Sequence, residues 1–245
     1  MRQLTLVTLA IFTLCAVATA QITDPKATEV WSPKPPIVTP GNGTKPPSDA
    51  IVLFNGTNLN EFIAAKDSSA AAWTINKDSS MTVAATKGDI QTRRSFGDCQ
   101  LHVEFREPVV VKGEGQGRGN SGIFLQSRYE VQVLDCYQNT TYSNGQTGSV
   151  YKQSIPLANA CRKPGEWQNY DIIYTAPRFN KDSILIAPGY VTVILNGVLL
   201  QNHTEIKGTT EYIGLPKNGA HGNLPIRLQD HGDLVSFRNI WIRNL

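Results

Sequence analysis

Cysteine is scarce in this sequence: four residues, at positions 15, 99, 136 and 161, with no C-x-x-C pair and no histidine at zinc-ligand spacing. That argues against a structural zinc site. Histidine is equally rare, with four copies, and no H-E-x-x-H or serine nucleophile elbow occurs. No run of four Lys/Arg exists and the formal charge is only +3, so a dedicated nucleic-acid binder is excluded as the first reading. After Ala20 there is neither a long apolar run nor a dozen-residue window of helical periodicity, which excludes a helical bundle or a β-α-β rhythm. No internal repeat is present, against a propeller. What remains is a chain of 245 residues, 40% hydrophobic and 18% charged, with enough apolar material for one sizeable core.

The one long apolar stretch is at the start. Met1–Ala20 has Arg2, an apolar run from Leu4 to Val17 and the small-residue triplet Ala18-Thr19-Ala20, the pattern of a signal peptide cleaved before Gln21. The run is shorter than a membrane span needs. The expectation is an exported protein, periplasmic or secreted, with no membrane span after cleavage. Removal takes Arg2 and no acid, lowering the charge from +3 to +2, and takes Cys15 with it. Of the three cysteines left, Cys136 and Cys161 flank a Gly/Asn/Tyr-rich loop and are the expected disulfide in an oxidising compartment, with Cys99 a buried thiol. Residues 21–49 carry seven prolines and no hydrophobic period, an extended arm ahead of a domain at 50–245.

From there the pattern is short apolar bursts between turn residues. Leu101–Arg106 alternates strictly, Tyr129–Leu134 nearly so, and Tyr190–Leu195, Asn196-Gly197, Val198–Gln201 reads as a hairpin with the Asn-Gly pair of a type I′ turn. The expected fold is all-β, an antiparallel sandwich or barrel. In the first of these strands Leu101, Val103 and Phe105 share one face and His102, Glu104 and Arg106 the other; in the second, Glu130 and Gln132 oppose Tyr129, Val131 and Val133. Two readings of those polar faces stand side by side: sheet surfaces in water, or one concave face collecting acids, amides and a guanidinium to bind sugar hydroxyls. Gly113–Gly122, with five glycines, is either a floppy connection or a backbone able to approach a ligand closely. Arg227–Asp233 holds an amide, two acids and His231, either a polar turn or an imidazole tuned for proton transfer.

An ordered set of motifs then resembles the 3-keto-disaccharide hydrolase domain family: Phe54-Asn55-Gly56 with Leu59, Glu104-Phe105-Arg106, Asn120-Ser121-Gly122-Ile123-Phe124, Tyr129–Asp135, Gly165-Glu166-Trp167-Gln168, Leu195-Asn196-Gly197, Leu228–Gly232 and Phe237-Arg238-Asn239-Ile240. The resemblance spans about Asp49–Leu245 and implies a concanavalin A-like jelly-roll sandwich. Cys136 and Cys161 depart together from the small polar residues usual there, in agreement with their pairing. The resemblance also implies cleavage of glycosides oxidised to a ketone at sugar C3, with a carbohydrate as partner. Such a ketone acidifies the C2 proton, so a base, an enolate stabiliser and an acid for the leaving oxygen are needed. Two carboxylates spaced for displacement at C1 are not.

On this reading Glu130 or His231 serves as base and acid, and Arg106 or Lys152 stabilises the enolate. Glu104, Asn120, Gln132 and Gln229 hold hydroxyls, Asp135 orients a partner or binds a cation or substrate, and Asp230 binds substrate. No cofactor is required by the sequence; a divalent cation could clamp the enolate, though no ligand spacing demands one. The competing expectation is a non-catalytic, lectin-like carbohydrate-binding module of the cell envelope.

Overall fold

The structure, a computed structural model, describes residues 22–43 and 45–245; the leader and Cys15 lie outside the described residues. Residues 22–37 form a unit of their own, with one 3-10 turn at Pro25–Thr28 capped by the Asp24 carboxylate, which accepts from Lys26 N at 3.0 Å. The body runs from Val38 to Leu245. Among the described residues no helix is long and apolar enough to cross a membrane.

The body contains fifteen strands among the described residues. In chain order they are β1 (Ile51–Phe54), β2 (Phe62–Ala64), β3 (Thr74–Ile75), β4 (Met81–Thr82), β5 (Ile90–Phe96), β6 (Cys99–Arg106), β7 (Ser121–Leu125) and β8 (Tyr129–Val133). Then come β9 (Gln168–Thr175), β10 (Arg178–Phe179), β11 (Leu185–Ala187), β12 (Gly189–Leu195), β13 (Val198–Ile206), β14 (Leu224–Leu228) and β15 (Ser236–Asn244). One sheet has eight strands in the order β13-β12-β9-β6-β15-β4-β3, with β1 also paired to β15. The other has five, β2-β5-β14-β7-β8, and β10-β11 is a small separate hairpin. Every pairing is antiparallel, so the chain is the all-β sandwich that its alternation requires. The β12–β13 turn is the hairpin read from Asn-Gly: Asn196 and Gly197 both have positive φ, 52° and 82°, which only the Asn/Gly class adopts cheaply.

The two sheets share one core. Leu101, Val103 and Phe105 of β6 and Tyr170, Ile172 and Tyr174 of β9 are buried in one cluster with Ile123 and Leu125 of β7, Val131 and Val133 of β8, and Leu228 of β14. Each such side chain contributes about 1.5–3 kcal/mol on burial. Two tyrosines of β9 carry a polar tip through this core to the opposite sheet. Tyr170 Oη donates to the carbonyl of Gln132 at 2.7 Å, and Tyr174 Oη to Gln126 Oε1 at 2.7 Å. A buried tyrosine hydroxyl must find an acceptor. Here that demand ties β9 to β8 and to the turn that precedes it.

Strand β8 is the edge of the five-stranded sheet, and its free backbone groups are taken by loops. Gln132 N donates to Ser149 O, Gly148 N to Gln132 O, and Tyr151 N to Glu130 O, at 3.0–3.1 Å. Glu130 N donates to Thr210 Oγ1 at 3.0 Å. Covering the edge in this way removes a template for strand addition. It also builds walls over the polar face of β8, so Glu130 and Gln132 are 5% and 1% exposed rather than open to water.

Candidate active site

A strand places alternate residues on one face, and neighbouring strands align them into rows. In the five-stranded sheet the outward-facing register sets Arg227 of β14 beside Phe124 of β7, and Phe124 beside Glu130 of β8. In the next row Gln229, whose N–H donates to Gly122 O at 3.0 Å, lies beside Gly122, which pairs with Gln132. Gly122 leaves the middle of this grid without a side chain. The result is a hollow of about 270 Å³ lined by Asn120, Phe124, Glu130, Gln132, Arg227, Gln229 and His231, with Tyr151, Thr210 and Tyr212 as its loop-borne walls.

The Glu130 carboxyl is the chemical centre of this hollow. Burial pushes its pKa up to about 8; Arg227 opposes the shift and Asp89 adds to it. Arg227 relieves little, because its guanidinium is paired with Asp89 at 2.6 Å and lies 3.8 Å from the centre of the Phe124 ring. Around the carboxyl are unfilled acceptors: the Oε1 atoms of Gln132 and Gln229 are buried and receive no hydrogen bond from the described residues. The Gln132 amide nitrogen is fixed by Gln116 Oε1 at 2.9 Å, which aims its oxygen. Buried acceptors of this kind are expensive unless a ligand's hydroxyls satisfy them. His231 is exposed at the mouth. Asp230 holds its loop, accepting from Gly88 N at 2.9 Å and Gly232 N at 3.0 Å.

The structure thus brings together Glu130, His231, Asn120, Gln132 and Gln229, five of the residues named from sequence. It separates others. Asp230 is spent on backbone N–H groups beside the hollow. Asp135 is buried in an ion pair with Arg118 at 2.7 Å and accepts from Tyr137 N, on the far side of the Gly119-Asn120 segment. Lys152 braces the rim from outside: its ammonium donates to Tyr212 O at 2.6 Å and lies 4.3 Å from the Tyr212 ring centre, beside the Tyr142–Tyr151 hydroxyl pair.

Glu104 and Arg106 are displaced furthest. They lie with His102 on the outer face of the eight-stranded sheet, because both polar strand faces point away from the shared core and the two strands belong to opposite sheets. There the groups satisfy one another. Arg238 Nε donates to Glu104 Oε2 at 2.6 Å, Arg106 pairs with Asp78 at 3.2 Å, and both guanidinium groups lie over the Trp167 ring, at 4.4 Å for Arg106 and 4.1 Å for Arg238. A single concave face holding Glu104, Arg106, Glu130 and Gln132 does not form.

This outer network carries a pH signature. Burial alone would lower the His102 pKa, but the hydrogen bond to Asp171, at 2.7 Å, and the Glu104 carboxylate 3.9 Å away outweigh it and raise the imidazole to about 9. A pKa raised above the unfolded value stabilises the fold fully below about 6.5, and that contribution disappears as pH climbs through 9. The expected loss is on the order of 3 kcal/mol at most. Denaturant midpoints measured from pH 6 to 9.5 should fall more steeply for the native chain than for His102→Gln; parallel curves would contradict this.

Sequence reasoning missed Arg227, Phe124, Thr210, Tyr151 and Tyr212. The first two carried a signal: each is two residues from a residue of the adjacent row, Gln229 or Gly122, on the same strand face. The loop residues carried none, since only the covering of the β8 edge brings them in. Among the described residues no three His, Cys, Asp or Glu side chains converge as metal ligands.

The model of a family described as the 3-keto-alpha-glucoside-1,2-lyase-like domain matches residues 49–243. A crystal structure of a "putative glycosyl hydrolase" from Parabacteroides distasonis is 57% identical, with a TM-score of 0.87, covering 91% of this chain and 97% of that one. Two further Parabacteroides distasonis structures with the same description are 20% and 24% identical, at TM-scores of 0.59 and 0.55. They cover 80% of this chain and 94% and 99% of theirs, and they speak to the fold alone. No curated protein matches the chain.

Proposed function

This chain belongs to the 3-keto-alpha-glucoside-1,2-lyase-like family, and from that premise we propose that it cleaves 3-keto-glycosides by elimination, with Glu130 as the base. The coarse statement, a protein acting on glycosides, follows from family membership. The observation that carries the finer one is a buried carboxyl, raised to about 8, in a hollow whose amide acceptors no described residue fills and a ligand's hydroxyls could. A base of that strength suits removal of a proton next to a ketone near neutral pH.

Glu130 takes the C2 proton, and the C2–H electron pair forms the enolate of the C3 ketone. As that enolate collapses back to the ketone, a C1–C2 double bond forms and the bond from C1 to the leaving oxygen breaks. His231, at the mouth, gives that oxygen its proton. Water adding across the C1–C2 double bond would complete net hydrolysis. Gln132, Gln229 and Asn120 hold sugar hydroxyls. Arg227 lines the hollow and, although its Nη1 is paired with Asp89, keeps an Nε that no described residue fills, so it takes the enolate-facing role; Arg106 lies on the outer face of the other sheet and Lys152 is held at the Tyr212 carbonyl outside the lining.

The test is product identification from a 3-keto-disaccharide, with and without a chelator. Free 3-keto-sugar or its unsaturated precursor supports the reading. Saturable binding with no product supports the carbohydrate-binding alternative, and loss of product on chelation shows that the reaction requires a divalent cation.

Export and oxidation belong to the same proposal. All three cysteines of the body are thiols in the structure, and the Cys136 sulfur accepts from Thr147 N at 3.2 Å and from Thr147 Oγ1 at 3.1 Å. With a disulfide oxidant such as oxidised glutathione, two thiols give up two protons and two electrons to the reagent and close Cys136 to Cys161. Peptide mapping of protein recovered from the periplasm or medium should find that link and an N-terminus at Gln21. Free Cys136 and Cys161 under those conditions would refute the bridge.

A further inference from the structure

Beside the polar hollow lies a larger one of different chemistry. It measures about 600 Å³ and is lined mainly by Ala85, Pro108, Val109, Val110, Val111 and Leu234, with the Arg118–Asp135 pair, Asp233 and the exposed Lys112 as its charged lining. Val109, Val110 and Leu234 are 72%, 69% and 54% exposed, an apolar patch that folding has left uncovered. The charged pair offers nothing to a polar ligand: Arg118 is held by Asp135 at 2.7 Å and by the Tyr137 carbonyl at 2.9 Å.

The two hollows are neighbours by chain connectivity. Asn120 lines the polar one and Gly119 the apolar one; His231 lines the polar one and Gly232, Asp233 and Leu234 the apolar one. The partition between them is pinned by Asn120 N donating to Asp233 Oδ2 at 2.7 Å.

We propose that the apolar trough is the subsite for the leaving group, and that the preferred substrates are 3-keto-glycosides of hydrophobic alcohols rather than of a second sugar. The inference rests on the elimination reading and deepens it. The sugar ring occupies the hollow of amides and carboxyl. The scissile oxygen lies at the partition, beside His231. The aglycone rests on Val109, Val110 and Leu234, where burying its apolar surface supplies binding energy. A second sugar would set most of its hydroxyls against valines and a closed ion pair, with only Lys112 and Asp233 as side-chain partners outside that pair.

The test compares leaving groups of similar acidity, so that chemistry is held constant while surface varies: 3-keto-glucosides of methanol and of cyclohexylmethanol, both anomers, alongside a 3-keto-disaccharide. The expected kcat/KM for the cyclohexylmethyl compound exceeds both others by about tenfold or more, the discrimination a few buried methylenes supply. The ratio should collapse toward one in Val110→Thr combined with Leu234→Thr, and partly in each single variant, all at exposed positions where folding is not threatened. Turnover of all three substrates at equal kcat/KM, or a ratio untouched by these variants, overturns the subsite. Absence of turnover for every 3-keto-glycoside overturns the elimination reading, and the subsite with it.

Discussion

Glu130→Gln is expected to lower turnover of a 3-keto-glycoside by about 10³-fold, within the range that a positioned base contributes. The amide keeps the shape of the side chain but cannot accept the C2 proton. Thermal stability should not fall, because a carboxyl raised by burial costs the fold something that a neutral amide does not. That combination separates loss of chemistry from loss of structure. The native enzyme's kcat/KM should also climb with pH through about 8, as Glu130 ionises, and the residual activity of the variant should lack that limb. A variant retaining native rates would place the base elsewhere.

Gly122→Ala should cost nearly as much without touching a chemical group, on the order of 10²-fold in kcat. A Cβ at position 122 would meet Glu130 Oε1 at 2.7 Å and the Phe124 ring at 2.9 Å, closer than real contacts allow. Both neighbours stand on hydrogen-bonded strands, so the carboxyl must swing away from its place over the floor. Misplacement of a catalytic group by about 1 Å is enough for a loss of that size. The backbone at 122 lies outside the left-handed region, so the cost is of space and not of conformation. Circular dichroism and melting should show a folded protein, and a larger residue such as Val should abolish activity. Unchanged kcat in Gly122→Ala would mean that the carboxyl is not used where the structure holds it.

Much of this architecture is readable in the chain. Alternation at Leu101–Arg106 and Tyr129–Val133 names the inward residues of β6 and β8, and Asn196-Gly197 fixes the β12–β13 hairpin. The same alternation is silent about which sheet a strand joins. Glu104 and Glu130 therefore look equivalent in sequence, yet one ends in a closed ionic lattice under water and the other in a buried hollow. The difference arises from long-range pairing: β8 is an edge, and loops at 148–151 and around Thr210 close over it. Residues that matter through a contact made by folding alone, such as Thr210 on the Glu130 N–H or Tyr170 on the Gln132 carbonyl, leave no local mark. Asp135 and Asp230 read as ligands because they are acids inside motifs, although their carboxylates are consumed by an ion pair and by backbone N–H groups.

The division between a strand-built floor and loop-built walls bears on how such proteins diversify. Arg227, Phe124, Glu130 and Gln132 sit on a hydrogen-bonded lattice in which a one-residue slip would turn every side chain to the other face, so drift there is heavily penalised. The valine segment, the Tyr212 loop and the His231 loop belong to no strand and can lengthen, shorten or change character at little thermodynamic expense. If Glu130 is the base proposed above, a lineage could thus exchange the leaving groups it accepts many times over while inheriting one unaltered centre on the strand floor.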